Sequence, residues 1–246
     1  MVFLVGCSKD YTDPTTPSQQ EIQTKIIGTW KSLSRDGVER LTNNRRISTF
    51  YSDGTGSNSH SDPKSPWAWA TKTAITYTIE GNTLRELSGN NEKISSITSI
   101  DDENLCMKII KKINDGVEIQ DNSSYVYIRV TADYSQDIIG IWEGVEMTGY
   151  ETYGDANHRI EYRADGTYTY YNNIENSWVP SDNVDNEYNV DGDWIATRWR
   201  PTAGADYEYE WWDIDEIKDG TMKWSALREK ESGERFATTF TWKKIQ

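Results

Sequence analysis

The amino-acid sequence predicts an all-β protein built from two tandem, small antiparallel β-barrels. Three observations support this fold class: an internal repeat, a series of Asp-Gly, Gly-Asn and Ser-Gly pairs that are typical of tight hairpins, and the absence of a helical pattern longer than two turns. The turns divide each copy into about eight short strands. Hairpins in this number favour a closed barrel, because closure removes exposed strand edges.

The internal repeat is visible as five matches that occur in the same order along the chain. Ile26–Trp30 recurs at Ile138–Trp142, and Asp53–Thr55 recurs at Asp165–Thr167, both with an offset of 112 residues. The other matches have offsets of 111 or 115 residues and are Tyr77–Gly81 with Tyr188–Gly192, Met107–Lys108 with Met222–Lys223, and Tyr125–Val130 with Phe240–Ile245. An ordered series of this kind indicates a duplication. We therefore predict one barrel at residues 24–131 and a second at residues 137–246.

The segment before the first barrel predicts a lipid anchor and a tether. Leu4-Val5-Gly6-Cys7 resembles a bacterial lipobox, whose cysteine is acylated and becomes the first residue of the mature protein. Residues 1–7 are interpreted as the remnant of a lipoprotein signal, and Cys7 is the predicted lipidation site. Residues 8–23 are polar, contain two prolines and lack periodicity, so we expect a disordered linker there.

Each copy opens with a Gly-x-Trp motif and ends in a strand with a basic residue at the matched position. These residues are Gly28, Trp30 and Arg129 in the first copy and Gly140, Trp142 and Lys244 in the second. The pattern resembles the lipocalin (calycin) signature, and the chain is similar to the tandem lipocalin-like domains of lipoproteins from gut anaerobic bacteria. The resemblance implies that each tryptophan packs at the closed end of its barrel beneath the basic side chain, a structural role.

The charge of the chain limits its partners and its attachment to membranes. Residues 1–136 contain 17 acidic and 15 basic residues, a net charge of −2, whereas residues 137–246 contain 23 acidic and 11 basic residues, a net charge of −12. Such a surface repels phosphate backbones, so we do not expect a nucleic-acid partner. No segment has the roughly 20 apolar residues that a membrane-spanning helix needs. We expect a protein of the bacterial envelope, held at the outer membrane by its N-terminal lipid alone.

The sequence offers no arrangement typical of an enzyme or of a metal site, and we predict no catalytic residue, metal or cofactor. His60 and His158 stand at unmatched places in the two copies, and Cys106 lies in an apolar run that predicts a buried position. No Cys/His pair has the spacing of zinc ligands. The acidic segments Asp182–Glu187 and Asp213–Glu216 could offer oxygens to Ca²⁺, but neither fits a calcium-loop pattern, and solvated acidic loops are the preferred interpretation.

Aromatic residues are the main functional signal, since the second copy holds eight of the 11 tryptophans. Exposed aromatic patches often mark a binding surface, whereas buried rings would fill the cores of two small barrels. The candidate ligand-binding residues are Trp178, Trp199, Trp211 and Trp212. We therefore expect a non-enzymatic binding lipoprotein for a small apolar or carbohydrate ligand. The alternative is a structural or interaction lipoprotein with filled barrels that serves as a spacer or as a subunit of a complex.

Overall fold

The computed structural model describes residues 16–60, 72–149 and 158–246, and these residues form an all-β protein, as predicted. The chain divides into two compact units, one formed by residues up to Val130 and the other by Thr131–Gln246, with Leu41–Asn43 grouped with the second. The predicted signal remnant and Cys7 lie outside the described residues. Within the three described ranges, no helix is long and apolar enough to cross a lipid bilayer.

The first unit contains one short helix and ten strands in its described part. They are α1 (Gln19–Lys25), β1 (Gly28–Arg35), β2 (Val38–Glu39), β3 (Arg46–Phe50), β4 (Thr55–His60), β5 (Thr73–Glu80), β6 (Thr83–Ser88), β7 (Asn91–Ile100), β8 (Asn104–Asn114), β9 (Val117–Ile119) and β10 (Ser124–Val130), with a 3₁₀ turn at Thr42–Asn44. Eight of the strands close into an antiparallel barrel in the order β1-β3-β4-β5-β6-β7-β8-β10, because β10 pairs with both β1 and β8. The short strands β2 and β9 form antiparallel pairs with the C-terminal ends of β1 and β8.

The second unit contains nine strands in its described part. They are β11 (Gly140–Thr148), β12 (His158–Tyr162), β13 (Tyr168–Ile174), β14 (Ser177–Pro180), β15 (Val184–Asp191), β16 (Trp194–Arg200), β17 (Glu208–Lys218), β18 (Thr221–Glu229) and β19 (Arg235–Lys244). Their order is β14-β13-β12-β11-β19-β18-β17-β16-β15, all antiparallel. Apart from the additional strand β14, this order follows that of the first barrel.

The second sheet curls like the first, but it is a half-barrel that stays open at one seam. In the first unit, β4 and β5 pair from Thr55 with Thr76 to Asn58 with Thr73. Their counterparts β13 and β15 meet only at a single bridge between Thr167 and Glu187. The reason is β14, which pairs with β13 and takes the edge that β15 would need. We refer to the gap between β13 and β15 as the open seam.

The helix α1 corrects the predicted disordered linker at residues 8–23, whose last five residues are helical. The hydroxyl of Ser18 accepts a hydrogen bond from the backbone N–H of Glu21 (3.2 Å) and caps the helix. Ile22 and Ile26 are fully buried in the core of the first unit. The helix forms because the four-residue spacing of these isoleucines lets one helix face bury apolar area. The polar composition of the rest of the segment concealed this helical pattern.

The tryptophan of each Gly-x-Trp motif is fully buried and anchored in the same way in both units. The indole N–H of Trp30 donates to the carbonyl of Ile26 (2.7 Å), and that of Trp142 donates to the carbonyl of Ile138 (2.6 Å). We call this the tryptophan end of each unit and the opposite end the open end.

A basic side chain covers each of these indoles. The guanidinium carbon of Arg129 lies 4.2 Å from the centre of the Trp30 ring, and the Lys244 ammonium lies 5.0 Å from the centre of the Trp142 ring. A Cβ atom on Gly28 would lie 2.7 Å from an Arg129 nitrogen, and the φ angle of Gly28 is 125°. Glycine is therefore required there both by the close cation and by the backbone.

Arg129 is held more firmly than Lys244. Its guanidinium donates to the backbone carbonyls of Asp102 (2.6 Å), Ile27 (2.8 Å) and Lys25 (2.5 Å), which ties the last strand to the segment before the first. Lys244 donates to a single carbonyl at 3.3 Å, that of Asp137. Loss of the Arg129 side chain should therefore affect stability more than loss of Lys244.

The Arg129→Met substitution should lower the free energy of unfolding by about 2–4 kcal/mol, because it removes charge-assisted hydrogen bonds and the cation above the indole. Lys244→Met should lower it by less than about 1 kcal/mol. Urea unfolding followed by tryptophan fluorescence measures both values. Equal effects of the two substitutions would contradict this description of the tryptophan ends.

Candidate functional site

The second unit contains a cavity of about 520 Å³ that extends from its open end into the half-barrel. The lining residues come from seven of its strands and from the segment between β14 and β15. They are Met147, His158, Ile160, Tyr162, Tyr168, Tyr170, Asn172, Asn183, Thr197, Trp199, Tyr209, Glu210, Trp212, Trp224, Arg228, Phe240 and Trp242. The cavity lies beside the open seam, since Asn172 of β13 and Asn183 before β15 both contribute to its wall.

The deep wall of the cavity is aromatic. The ring centres of Trp212 and Trp224 are 5.4 Å apart, those of Trp224 and Trp242 are 5.1 Å apart, and those of Phe240 and Trp242 are 3.8 Å apart. Tyr162 packs edge-on against Trp224 at 6.4 Å. Rings packed against one another in this way form a stiff apolar surface.

Strand alternation brings these rings to the interior. On β18, Trp224 and Arg228 are four residues apart and therefore point to the same face, with Trp224 deeper and Arg228 nearer the open end. On β17, Glu210 and Trp212 are two residues apart and share the inner face in the same manner. Each strand thus supplies a ring to the deep wall and a polar group to the mouth.

The charged groups at the mouth neutralise each other. The Arg228 guanidinium donates to the Glu210 carboxylate at 2.9 Å, and its carbon lies 4.5 Å from the centre of the Trp212 ring. Both side chains are partly exposed, so the ion pair contacts solvent on one side and lines the cavity on the other. A ligand that enters the open end would pass this ion pair before it reached the aromatic wall.

The tyrosines of the deep wall remain protonated. Burial is the largest factor that raises the pKa of Tyr162 well above its ordinary value, and burial likewise raises the pKa of Tyr168. The Tyr162 hydroxyl and the indole N–H groups of Trp224 and Trp242 are buried and have no hydrogen-bond partner within the described part of the chain. Such unpaired groups are rare in folded proteins and cost about 1–3 kcal/mol each.

The structure separates the four tryptophans that the sequence suggested as ligand platforms. Trp199 and Trp212 line the cavity, whereas Trp178 and Trp211 do not. Trp178 lies in strand β14, and the guanidinium carbon of Arg159 lies 4.2 Å from the centre of its ring. Trp211 is half-buried and stacks on Tyr209, with ring centres 6.0 Å apart.

Sequence reasoning missed Tyr162, Tyr168, Glu210 and Arg228, because it searched for exposed tryptophans. A usable signal existed in the spacing of Trp224 and Arg228, because residues four apart in a β-strand lie on the same face.

Within residues 16–60, 72–149 and 158–246, no group of three or more His, Cys, Asp or Glu side chains could hold a metal ion. The two acidic segments considered for Ca²⁺ instead contribute to paired strands. Asp185 lies 3.0 Å from Arg200, and Asp215 accepts a hydrogen bond from Ser225 at 2.7 Å.

No protein-family model and no curated protein matches the chain. Among solved structures, it is similar to a protein of unknown function from the DUF3598 family of Nostoc punctiforme, with 10% identity, a TM-score of 0.28, and coverage of 92% of this chain and 98% of that one. It is also similar to a mutant of the vaccine antigen transferrin binding protein B from Haemophilus parasuis, with 7% identity and a TM-score of 0.25. That match covers 81% of this chain and 53% of the antigen, so this chain spans about half of that protein. Similarities this low identify neither a ligand nor a role.

Proposed function

We propose that the protein is a non-enzymatic binding protein and that its second unit takes up a small ligand in the aromatic cavity. The observation that carries this proposal is the cavity itself. Its volume of about 520 Å³ lies within the range typical of small-molecule sites, and its wall combines apolar rings with a few polar groups at the mouth.

The chemistry of the wall favours a mainly apolar ligand with one polar end. The deep part offers aromatic faces, the hydroxyls of Tyr162 and Tyr168, and the side chain of Thr197. A sugar would bury many hydroxyl groups there, and each would need a partner to avoid a desolvation cost. The polar end would remain at the mouth beside Arg228 and Glu210. Of the two ligand classes suggested by the sequence, we therefore propose the apolar class.

Two features speak against the other roles. A spacer with filled barrels gives no reason for a cavity of this size, because an unfilled volume lowers stability. Against an enzyme, Arg228 and Glu210 are committed to each other, and burial keeps Tyr162 and Tyr168 neutral by raising their pKa. Neither pair provides a group poised for proton transfer near neutral pH. The imidazole in the cavity wall, that of His158, packs against the rings of Tyr170 and Phe240, with ring centres 5.4 Å and 6.1 Å apart.

The Thr197→Phe substitution should block ligand uptake. Thr197 is buried and lines the cavity between its mouth and its deep wall, so a phenyl ring there would occupy ligand volume. With the neutral apolar fluorophore N-phenylnaphthylamine as the probe, we expect binding by the unaltered chain and at least a roughly tenfold weaker affinity in the variant. A fluorescence titration measures both affinities.

Thr239→Phe is the matched control, because Thr239 is exposed on strand β19 of the same unit and does not line the cavity. Its affinity should equal that of the unaltered chain. An unchanged near-ultraviolet circular dichroism spectrum would show that the Thr197 variant is folded. Failure of the unaltered chain to bind the probe, or equal affinity in all three proteins, would contradict the proposal. Displacement of the probe by neutral sugars would favour a carbohydrate ligand instead.

We also propose that the protein is lipid-anchored in the bacterial envelope, at the outer membrane, which rests on the lipobox-like Leu4-Val5-Gly6-Cys7. The Cys7→Ala substitution should abolish incorporation of a labelled fatty acid and release the protein from the membrane fraction, because the thiol is the acylation site. Ser8→Ala, at the neighbouring position, is the control and should retain the label. Labelling of the Cys7 variant at the normal level would refute the anchor.

A further inference from the structure

The first unit also has a pocket at its open end, with a volume of about 250 Å³ and a polar wall. Its lining contains five charged side chains, whereas that of the cavity in the second unit contains two, Glu210 and Arg228. The five are Arg46, Glu86, Glu92, Lys93 and Lys112. The pocket is formed by the first unit alone and is separate from the aromatic cavity.

The interior faces of three strands change from apolar to charged as they approach this pocket. On β3, Phe50 belongs to the core, and Arg46 on the same face lines the pocket. On β6, the core residue Leu84 is followed two positions later by Glu86, which is only 3% exposed. On β7, Lys93 lines the pocket and is followed by the buried residues Ser95 and Ile97. Charges at such positions are costly to bury, so they require an explanation.

One of the three cations is neutralised within the pocket wall. The Lys93 ammonium lies 2.5 Å from the Glu86 carboxylate, which also accepts a hydrogen bond from the Asn58 amide at 3.2 Å. Burial alone would lower the pKa of Lys93, but the Glu86 carboxylate opposes it and the pKa is raised. Glu86 is therefore fully engaged as the partner of Lys93.

The remaining two cations have little negative charge to meet them. Asp121 lies 3.9 Å from Lys112 and is shared with Arg35 at 3.7 Å. The Arg46 guanidinium has no hydrogen bond or ion pair to any described residue. Glu92 is engaged by Arg85 at 2.6 Å. Among the residues that the structure describes, the positive charge of Arg46 in this pocket therefore meets no acidic partner.

The electrostatics of Lys112 reflect the same imbalance. Burial is the first cause of its lowered pKa, and the second is the positive charge of Arg46. Two cations that repel each other in a partly desolvated pocket are stabilised when an anion binds between them.

We propose that the first unit binds a small oxyanion, a carboxylate, sulfate or phosphate group, between Arg46 and Lys112. Guanidinium and ammonium groups are the side chains that recognise such groups, and the volume suits one oxyanion with a few attached atoms. The site is independent of the ligand of the second unit. At the matched positions the second unit has His158 for Arg46 and Thr197 for Glu86, so it lacks the guanidinium and the carboxylate that the first unit has there.

Isothermal titration of the full chain with sodium sulfate tests this proposal, with sodium chloride at equal ionic strength as the reference. We expect saturable binding to the unaltered chain and at least about tenfold weaker binding to Arg46→Gln, because a charge-assisted contact is lost. Lys108→Gln is the matched control, since it removes the same charge from an exposed position on β8 and should bind like the unaltered chain.

Further arms identify the form of the anion. In two further titrations, inorganic phosphate and galacturonate replace sulfate, and galactose serves as the neutral counterpart of galacturonate. If the chain binds galacturonate but does not bind galactose, an organic acid is indicated as the ligand. If Arg46→Gln does not fold, Lys112→Gln provides the same comparison. Absence of saturable binding for all three anions, or equal affinity in the Arg46, Lys112 and Lys108 variants, would overturn the proposal.

Discussion

The burial of one indole at the tryptophan end is the interaction on which both units depend, and a basic side chain covers that indole in each unit. Trp30 and Trp142 are fully buried, each donates to the carbonyl four residues before it, and each is covered by a cation from the last strand of its unit. The contact joins the first strand to the last at one end of the sheet. Because it fixes the tryptophan end, the open end can change without loss of the fold, and the two units differ there.

That difference follows from a single added strand. In the second unit β14 occupies the edge of β13 that β15 would otherwise pair with. Only the bridge between Thr167 and Glu187 then remains at the open seam between β13 and β15. The sheet then encloses a cavity walled by aromatic rings, whereas the fully closed first barrel keeps a smaller polar pocket. The duplication thus supplies two related scaffolds, and we propose that they serve two ligand chemistries.

The sequence predicted the all-β class, because hairpin turn pairs and the repeat are local signals. It did not reveal β14, since the turn before it is made by Glu175 and Asn176, which adopt positive φ angles of 49° and 63° without a glycine. The helix α1 was hidden in a polar segment, and only the spacing of Ile22 and Ile26 pointed to it. The cavity could not be predicted, because it depends on which strands fail to pair, a long-range property that no local pattern records.

Amide hydrogen exchange at the open seam tests this account most directly, because we attribute the size of the cavity to the separation of β13 and β15. Amide protons that lack a cross-strand partner exchange far faster than paired ones. If the seam is open, the amide of Asn186 in β15, which a β-bulge also leaves unpaired with β16, should exchange at least about a hundredfold faster than the amide of Ile75 in β5, which pairs with Gly56 of β4. Equal protection at the two places would mean that the second barrel is closed, and it would contradict a ligand cavity of this kind.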